Sequence, residues 1–460
     1  MFDRLKQARM LLIRMLASVV ILASVLLSAC GAPATLTVAP SPETPVSIAT
    51  ATPPTTESPA PTGPGGAHLS VVRSDLPRET APQVSDEARE ALAAGNRAFA
   101  LDLYRALREQ DGNLFYSPYS ISTALAMAYA GAAGDTQRQM AEALHFTLPA
   151  EGVHPAFNAL NLGLTSPEDE AAFRLNVANA LWAQVGYEFL PSYLDTLAVN
   201  YGAGLRLADF TQDALREEAR QTINDWVSDQ TEDKIKELLK QGDLTPDARL
   251  VLLNAIYFKA DWTVPFHGDI QSNFTRLDGS QITVPAMSRR ADTPYLAGKG
   301  FEAFALEYKG DRMQMLVLVP DAGTFADFED TLDAARVAEI IEGLESTDLQ
   351  VTMPKFEFKA RFALQNALAS LGMEDAFQAG VADFSGMDGT RDLFIQSVIH
   401  EAYVAVDEEG TEAAAATGVV VGIVSAPLNM ITVDRPFIFL IHDTETDTLL
   451  FVGRVLDPTA

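Results

Sequence analysis

The chain has 460 residues, 48% of them hydrophobic, and 62 Asp and Glu outnumber 33 Lys and Arg for a formal net charge of −29. That acidity opposes binding to nucleic acid or to a heparin-type sulfated polysaccharide, both of which need basic patches, and no cluster of four or more basic residues stands out. A single cysteine excludes an intramolecular disulfide.

In chain order, Arg4, Lys6, Arg9 and Arg14 precede an apolar run over 15–27 that is short for a membrane span, and Leu27-Ser28-Ala29 leads into Cys30. Residues 1–29 therefore read as a secretory signal peptide. The placement of Cys30 resembles the lipobox of bacterial lipoproteins, in which the signal is cut before the cysteine and lipid is attached to it. Residues 30–84 read as this anchor followed by a Pro/Thr/Ser-rich tether, as in Ala51-Thr52-Pro53-Pro54-Thr55-Thr56, with too little apolar surface to offset the entropy of ordering. The expected location is the outer face of the cell membrane, held only through the lipid, or the extracellular space.

From 85 to 460 the composition is globular. Ser85 caps a helix with Asp86 and Glu87 in its first turn and Phe99, Leu103 and Leu107 at helical spacing. Ser117-Pro118 opens a second helix reaching to Gly131, and Asp135 a third with Met140 and Leu144. Further on, 175–182 reads as a strand, 190–201 as a helix, 219–239 as a longer helix, and 250–258 as a strand buried on both faces. Strands are predicted at 301–308, 313–319 and 349–358, and helices at 325–344 and 362–371. A hairpin joins 437–442 to 449–455. Helices first and strands mostly later suggest a single α+β domain.

The chemistry of catalysis is missing. There is no Gly-x-Ser-x-Gly, His-Glu-x-x-His or Walker loop, and no cysteine nucleophile in the globular part. The histidines at 68, 145, 154, 267, 400 and 442 lack ligand spacing, so neither metal nor cofactor is expected. The chain does not read as an enzyme.

The stretch Asp407-Glu408-Glu409-Gly410-Thr411-Glu412-Ala413-Ala414-Ala415-Ala416-Thr417, with Gly418-Val419-Val420-Val421-Gly422-Ile423-Val424-Ser425-Ala426-Pro427 after it, lies between two apolar strand-like runs. A connection this long is usually functional or disordered. Its alanines favour helix and its glycines and valines an extended chain, so local propensity leaves the state open. As an added strand it would turn Thr411, Ala413, Ala415 and Thr417 to one side, none of them large or charged, and Glu412, Ala414 and Ala416 to the other. An alanine-rich surface linker fits the same composition.

Glu408-Glu409-Gly410-Thr411-Glu412-Ala413-Ala414-Ala415 resembles the reactive-centre-loop hinge of inhibitory serpins. Other segments agree in the same order: Asn113-Leu114-Phe115-Tyr116-Ser117-Pro118, Ile223-Asn224-x-Trp226-Val227 with Thr231 and Lys234-Ile235, Leu253-Asn254-Ala255-Ile256-Tyr257-Phe258, Met353-Pro354-Lys355-Phe356, Asp434-Arg435-Pro436-Phe437 and Phe451-x-Gly453-Arg454-Val455. The resemblance implies an α+β serpin fold of three β-sheets and eight or nine helices with an exposed reactive-centre loop. It also implies that the protein is a monomer and a suicide-substrate inhibitor of serine proteases. The loop would be cut as far as the acyl-enzyme and then insert into the main sheet. Residue by residue it implies a hinge at Glu408 to Thr417 and a shutter of Ser117, Ser120, Asn254 and His400. It further implies a breach tryptophan, Trp262, and pairing of Glu408 with Arg289 or Arg290. Counting forward from Gly410 gives Val424-Ser425 as the reactive bond, and counting back from Pro436 gives Ser425-Ala426. Val421-Gly422-Ile423-Val424 favours the first and suits the narrow apolar pocket of elastase-like or subtilisin-like proteases. The alternative is a non-inhibitory serpin acting as a binding protein.

Overall fold

The computed structural model describes residues 69–164, 173–411 and 429–460. The signal peptide, Cys30, most of the tether, residues 412–417 of the hinge and Val424-Ser425 lie outside the described residues.

The opening helix spans Asp86–Leu107 and begins as expected, with Ser85 Oγ accepting from the Ala88 N–H and two carboxylates near the positive end of the helix dipole. Its inner stripe of Phe99, Leu103 and Leu107 is buried. The next two helices are Pro118–Tyr129 and Gly134–Ala143, the former with proline in its first turn and Ser117 as cap. An unexpected helix follows at Ala150–Leu164, where Pro155 disguises the pattern.

Two hydrogen-bonded sheets form among the described residues. The larger, of nine strands, contains the hairpin Phe437–Asp443 and Thr448–Val455 and the strands Phe301–Glu307 and Met313–Pro320. It joins two of the three expected sheets, because one 18-residue strand, Gln281–Gly298, pairs with Glu345–Pro354 and His267–Thr275 over most of its length and with Phe301–Glu307 at its end. That strand was hidden by its two prolines and the pair Arg289-Arg290. Ten α-helices are present among the described residues, three of them only four to six residues long.

The seven-stranded sheet positions the site. Its order is Leu69–Val72, Leu205–Ala208, Phe173–Gln184, Leu250–Asp261, Gly410–Thr411, Ile395–Val406 and Phe356–Ala363. Leu250–Asp261 is buried along nearly its whole length, as a central strand should be. One face meets the helix Pro118–Tyr129 and the large core. The other meets a second core under the helix Asp213–Gln230, with Ile223 and Val227 from the helix and Ile235, Leu238 and Leu239 from the segment after it.

Several expected boundaries change, among them the helix expected over 362–371, which is Gln365–Ser370 because Phe362 and Ala363 end a strand. The folded part starts before 85, since Leu69-Ser70-Val71-Val72 pairs antiparallel with Leu205–Ala208 as a sheet edge. The helix expected over 219–239 ends at Gln230, where Thr231 Oγ1 donates to the Val227 carbonyl and accepts from the Ile235 N–H, and Glu232 and Asp233 turn the chain with φ of 50° and 62°. The helix expected over 325–344 is two, Phe325–Asp330 and Ala334–Glu342, because Asp333 caps the second through the Arg336 N–H. The strand expected over 349–358 divides at Lys355 into Glu345–Pro354 and Phe356–Ala363, one in each sheet.

Candidate functional site

Leu250–Asp261 and Ile395–Val406 run parallel and pair directly from Leu250 opposite Ile395 up to Tyr257 opposite Tyr403. Above that rung they part, and Gly410–Thr411 lies between them, Thr411 opposite both Ala260 and Val406 and Gly410 opposite Asp261. Two residues of the expected hinge, Gly410 and Thr411, therefore already form a short strand in a fork.

The fork accepts them for steric reasons. A Cβ at position 410 would overlap the Ala260 carbonyl oxygen, so only glycine fits. Thr411 is 1% exposed and shares a 2.7 Å hydrogen bond with the hydroxyl of Tyr308. The Tyr308 ring stacks on Trp262 at 4.4 Å and 15°. Trp262, fully buried, donates from Nε1 to the Asp407 carbonyl at 3.0 Å and from its backbone N–H to the Glu409 carbonyl at 2.7 Å. Asp407 caps the turn by accepting from the Glu409 and Gly410 N–H groups, while burial raises its carboxyl above the usual range.

Glu408 pairs with Lys355 at 2.8 Å, not with either arginine expected for it. Lys355 stands at the break between two strands and can reach the hinge, and Gly268 leaves room for the carboxylate, which a Cβ there would overlap. Arg290 instead pairs with Asp348. Arg289 donates to the Val264 carbonyl at 2.8 Å and lies over Phe266 at 5.1 Å, and burial pushes its guanidinium down to about 10.

Lower in the sheet, Ser117, Ser120, Asn254 and His400 meet as one network. The register makes this inevitable: Asn254 sits opposite His400 on one side and opposite Asn179 on the other, so three polar side chains form a rung on an otherwise apolar face. The N-terminus of the helix Pro118–Tyr129 closes over them. His400 Nε2 accepts from the Ser117 N–H at 3.2 Å, which fixes the neutral ring with its proton on Nδ1, donated to Asn254 Oδ1. Asn254 Nδ2 donates to Ser120 Oγ at 2.5 Å and to Asn179 Oδ1. Ser120 Oγ donates to Asn179 Oδ1 at 3.1 Å, and Asn179 Nδ2 donates to the Ser120 carbonyl at 3.2 Å.

His400 is completely buried, and loss of solvation pushes its imidazole down to about 3. Its ring also stacks on Phe362, the residue opposite it on the next strand. Asn179 escaped the sequence reading; period-two counting from Asn254 onto a correctly registered neighbour was the signal that could have found it. Among the described residues no group of three or more metal-ligating side chains occurs.

The site is thus a short strand wedged in a fork above a buried polar rung, and comparison with known proteins gives the family. The chain belongs to the serpin family: the family model described as serpin, serine protease inhibitor, matches residues 94–458. Human leukocyte elastase inhibitor is 36% identical over 383 residues, covering 80% of this chain and all of that protein. Among solved structures, the thermophilic serpin tengpin in its native state superposes with a TM-score of 0.76 at 25% identity, covering 85% of this chain and 100% of that one. Human thyroxine-binding globulin in complex with thyroxine gives 0.73 at 29% identity, over 81% of this chain and 100% of that one.

Proposed function

We propose that this serpin inhibits serine proteases as a suicide substrate. The observation that carries the reading is Gly410–Thr411 seated between Leu250–Asp261 and Ile395–Val406, with only small inward positions, Ala413, Ala415 and Thr417, following in the sequence. Each further residue that enters the fork exchanges direct pairing of two strands for pairing with a third strand on both sides. The polar rung at Asn254 and His400 is what that entry separates.

In the proposed reaction the protease serine attacks the carbonyl carbon of Val424. The amine of Ser425 departs with a proton, leaving residue 424 esterified to the protease. Water would normally hydrolyse that ester. Insertion competes with it by carrying the esterified end along the sheet and distorting the attached protease. Trapping wins when insertion is the faster step. The run Val421-Gly422-Ile423-Val424 and the similarity to an elastase inhibitor support elastase-like or subtilisin-like targets.

Incubation with a panel of serine proteases, resolved on a denaturing gel, tests the function: a high-mass covalent band with an elastase is the expected outcome. Clean cleavage without such a band would remove the inhibitory reading and leave a binding protein. Sequencing the released carboxy-terminal fragment should begin at Ser425; a start outside residues 422–427 refutes the assigned bond. The same reading has the monomer exported and tethered through lipid on Cys30, so Cys30→Ser should release it from the membrane fraction.

A further inference from the structure

Period-two alternation places Tyr257 and Tyr403 on the sheet face opposite the Asn254–His400 rung. They are also the last directly opposed pair before Gly410–Thr411 separate the two strands. Their ring centroids lie 6.3 Å apart. Over the pair sits Lys234, its Nζ 5.2 Å from the Tyr403 ring and 6.0 Å from the Tyr257 ring. One cation thus touches both strands at the crotch of the fork.

Lys234 is held there by a segment that crosses the sheet. On the Phe173–Gln184 side, Glu232 accepts from Arg174 at 2.9 Å and from Asn176 Nδ2 at 3.1 Å. Beyond the fork, Arg361 of Phe356–Ala363 donates to the Leu238 carbonyl at 2.7 Å and pairs with Asp243. The crossing is therefore tied to strands on both sides of the pair. Lys359, 5.8 Å from Tyr403, and Glu357, which accepts from the Tyr403 hydroxyl, belong to the strand beside Tyr403 and stay with it when the fork widens.

We propose that Lys234 is a positioning residue for strand insertion, a clasp on Tyr257 and Tyr403 whose release sets how fast the fork opens. This rests on the insertion reading above. A strand added between neighbours moves them apart by about 4.8 Å. A cation is attracted to a ring only within about 6 Å of its centroid, so Lys234, held above the sheet face by the crossing, cannot keep both contacts from there once the inserted strand fills the gap between the rings. The clasp holds the closed sheet and is given up on the way to the open one.

The probe is a labelled synthetic peptide copying residues 411–424, annealed to the full chain and followed by native electrophoresis. Lys234→Met, which keeps the side-chain stem and removes the charge, should take up peptide about fivefold faster than wild type. Lys234→Arg should restore the wild-type rate, and Lys236→Met, an exposed neighbour on the same crossing, should leave it unchanged. Tyr403→Leu should also accelerate uptake, and the double variant with Lys234→Met should gain less than the product of the two. Equal rates for wild type and Lys234→Met, an equal gain in Lys236→Met, or no rescue by arginine overturns the clasp while leaving insertion intact. If wild type takes up no peptide and traps no elastase, the insertion reading fails and the clasp falls with it.

Discussion

Thr411→Arg puts the proposed mechanism to its most direct test. The native side chain is 1% exposed and its hydroxyl is engaged by Tyr308, which is itself fully buried and stacked on Trp262. A guanidinium at that position would enter an enclosed space beside Tyr308, between the strands at Ala260 and Val406. Burial of a charge without a partner costs several kcal/mol, so the arginine leaves the fork and takes the start of the inserting strand with it. Cleavage at residue 424 should proceed unchanged, because the loop sequence presented to the protease is the same. Every 1.4 kcal/mol lost from the insertion step relative to hydrolysis shifts the partition about tenfold, and a penalty of ~3 kcal/mol shifts it about a hundredfold. With an elastase on a denaturing gel, the covalent band should disappear while the cleaved chain accumulates. Thr411→Val grades the effect: the shape is retained, the Tyr308 hydroxyl loses its partner at a cost of about 1 kcal/mol, and complex yield should fall about fivefold relative to cleaved product. Undiminished complex in Thr411→Arg would refute the argument that the fork admits only small inward side chains.

Three further expectations follow from the same geometry. His400 has a native value of about 3 against 6.5 in an unfolded chain, so the stability it contributes is present above about pH 6.5 and is lost as pH falls toward 3. Between pH 7 and pH 5 the loss is ~2 kcal/mol for this group, and His154, lowered by burial to about 4, adds a similar amount. The urea midpoint of His400→Gln should therefore vary with pH about half as steeply as that of wild type across this range; parallel curves would contradict the assignment. Gly410→Ala should push residues 407–411 off the fork, because its Cβ overlaps the Ala260 carbonyl, and so red-shift tryptophan emission as Trp262 loses its bond to Asp407. Emission identical to wild type would show that the wedge tolerates alanine. Asn179→Ala removes the acceptor shared by Asn254 Nδ2 and Ser120 Oγ and should cost about 2 kcal/mol in a urea titration, whereas a loss under 0.5 kcal/mol would exclude Asn179 from the rung.

Much of this molecule was legible without coordinates because its signals are local. Ser85 with Asp86 and Glu87, Ser117-Pro118 and the hairpin ends at Phe437 and Val455 follow from capping and turn chemistry that depends on near neighbours alone. Glycine at 410 and the small residues after it read equally as a sheet-entering segment and as a surface linker, and of these the structure describes Gly410 and Thr411. Resemblance across several ordered motifs named the polar set Ser117, Ser120, Asn254 and His400, and the structure brings all four into contact.

What the fold alone decided was who stands opposite whom. Asn179 joins the rung only through strand register, a property of two segments 75 residues apart. The partner of Glu408 is Lys355 because the chain breaks between two sheets at that residue, whereas Arg289 and Arg290 look equally suitable on paper and are drawn to Val264 and Asp348. A one-residue slip would turn His400 and Asn254 onto the other face and leave Tyr257 and Tyr403 in the apolar core. That small residues follow a long buried strand is evident from residues 395–417 alone; that Gly410 and Thr411 already occupy the fork follows from the fold, because the fork is made by strands more than a hundred residues apart in the chain.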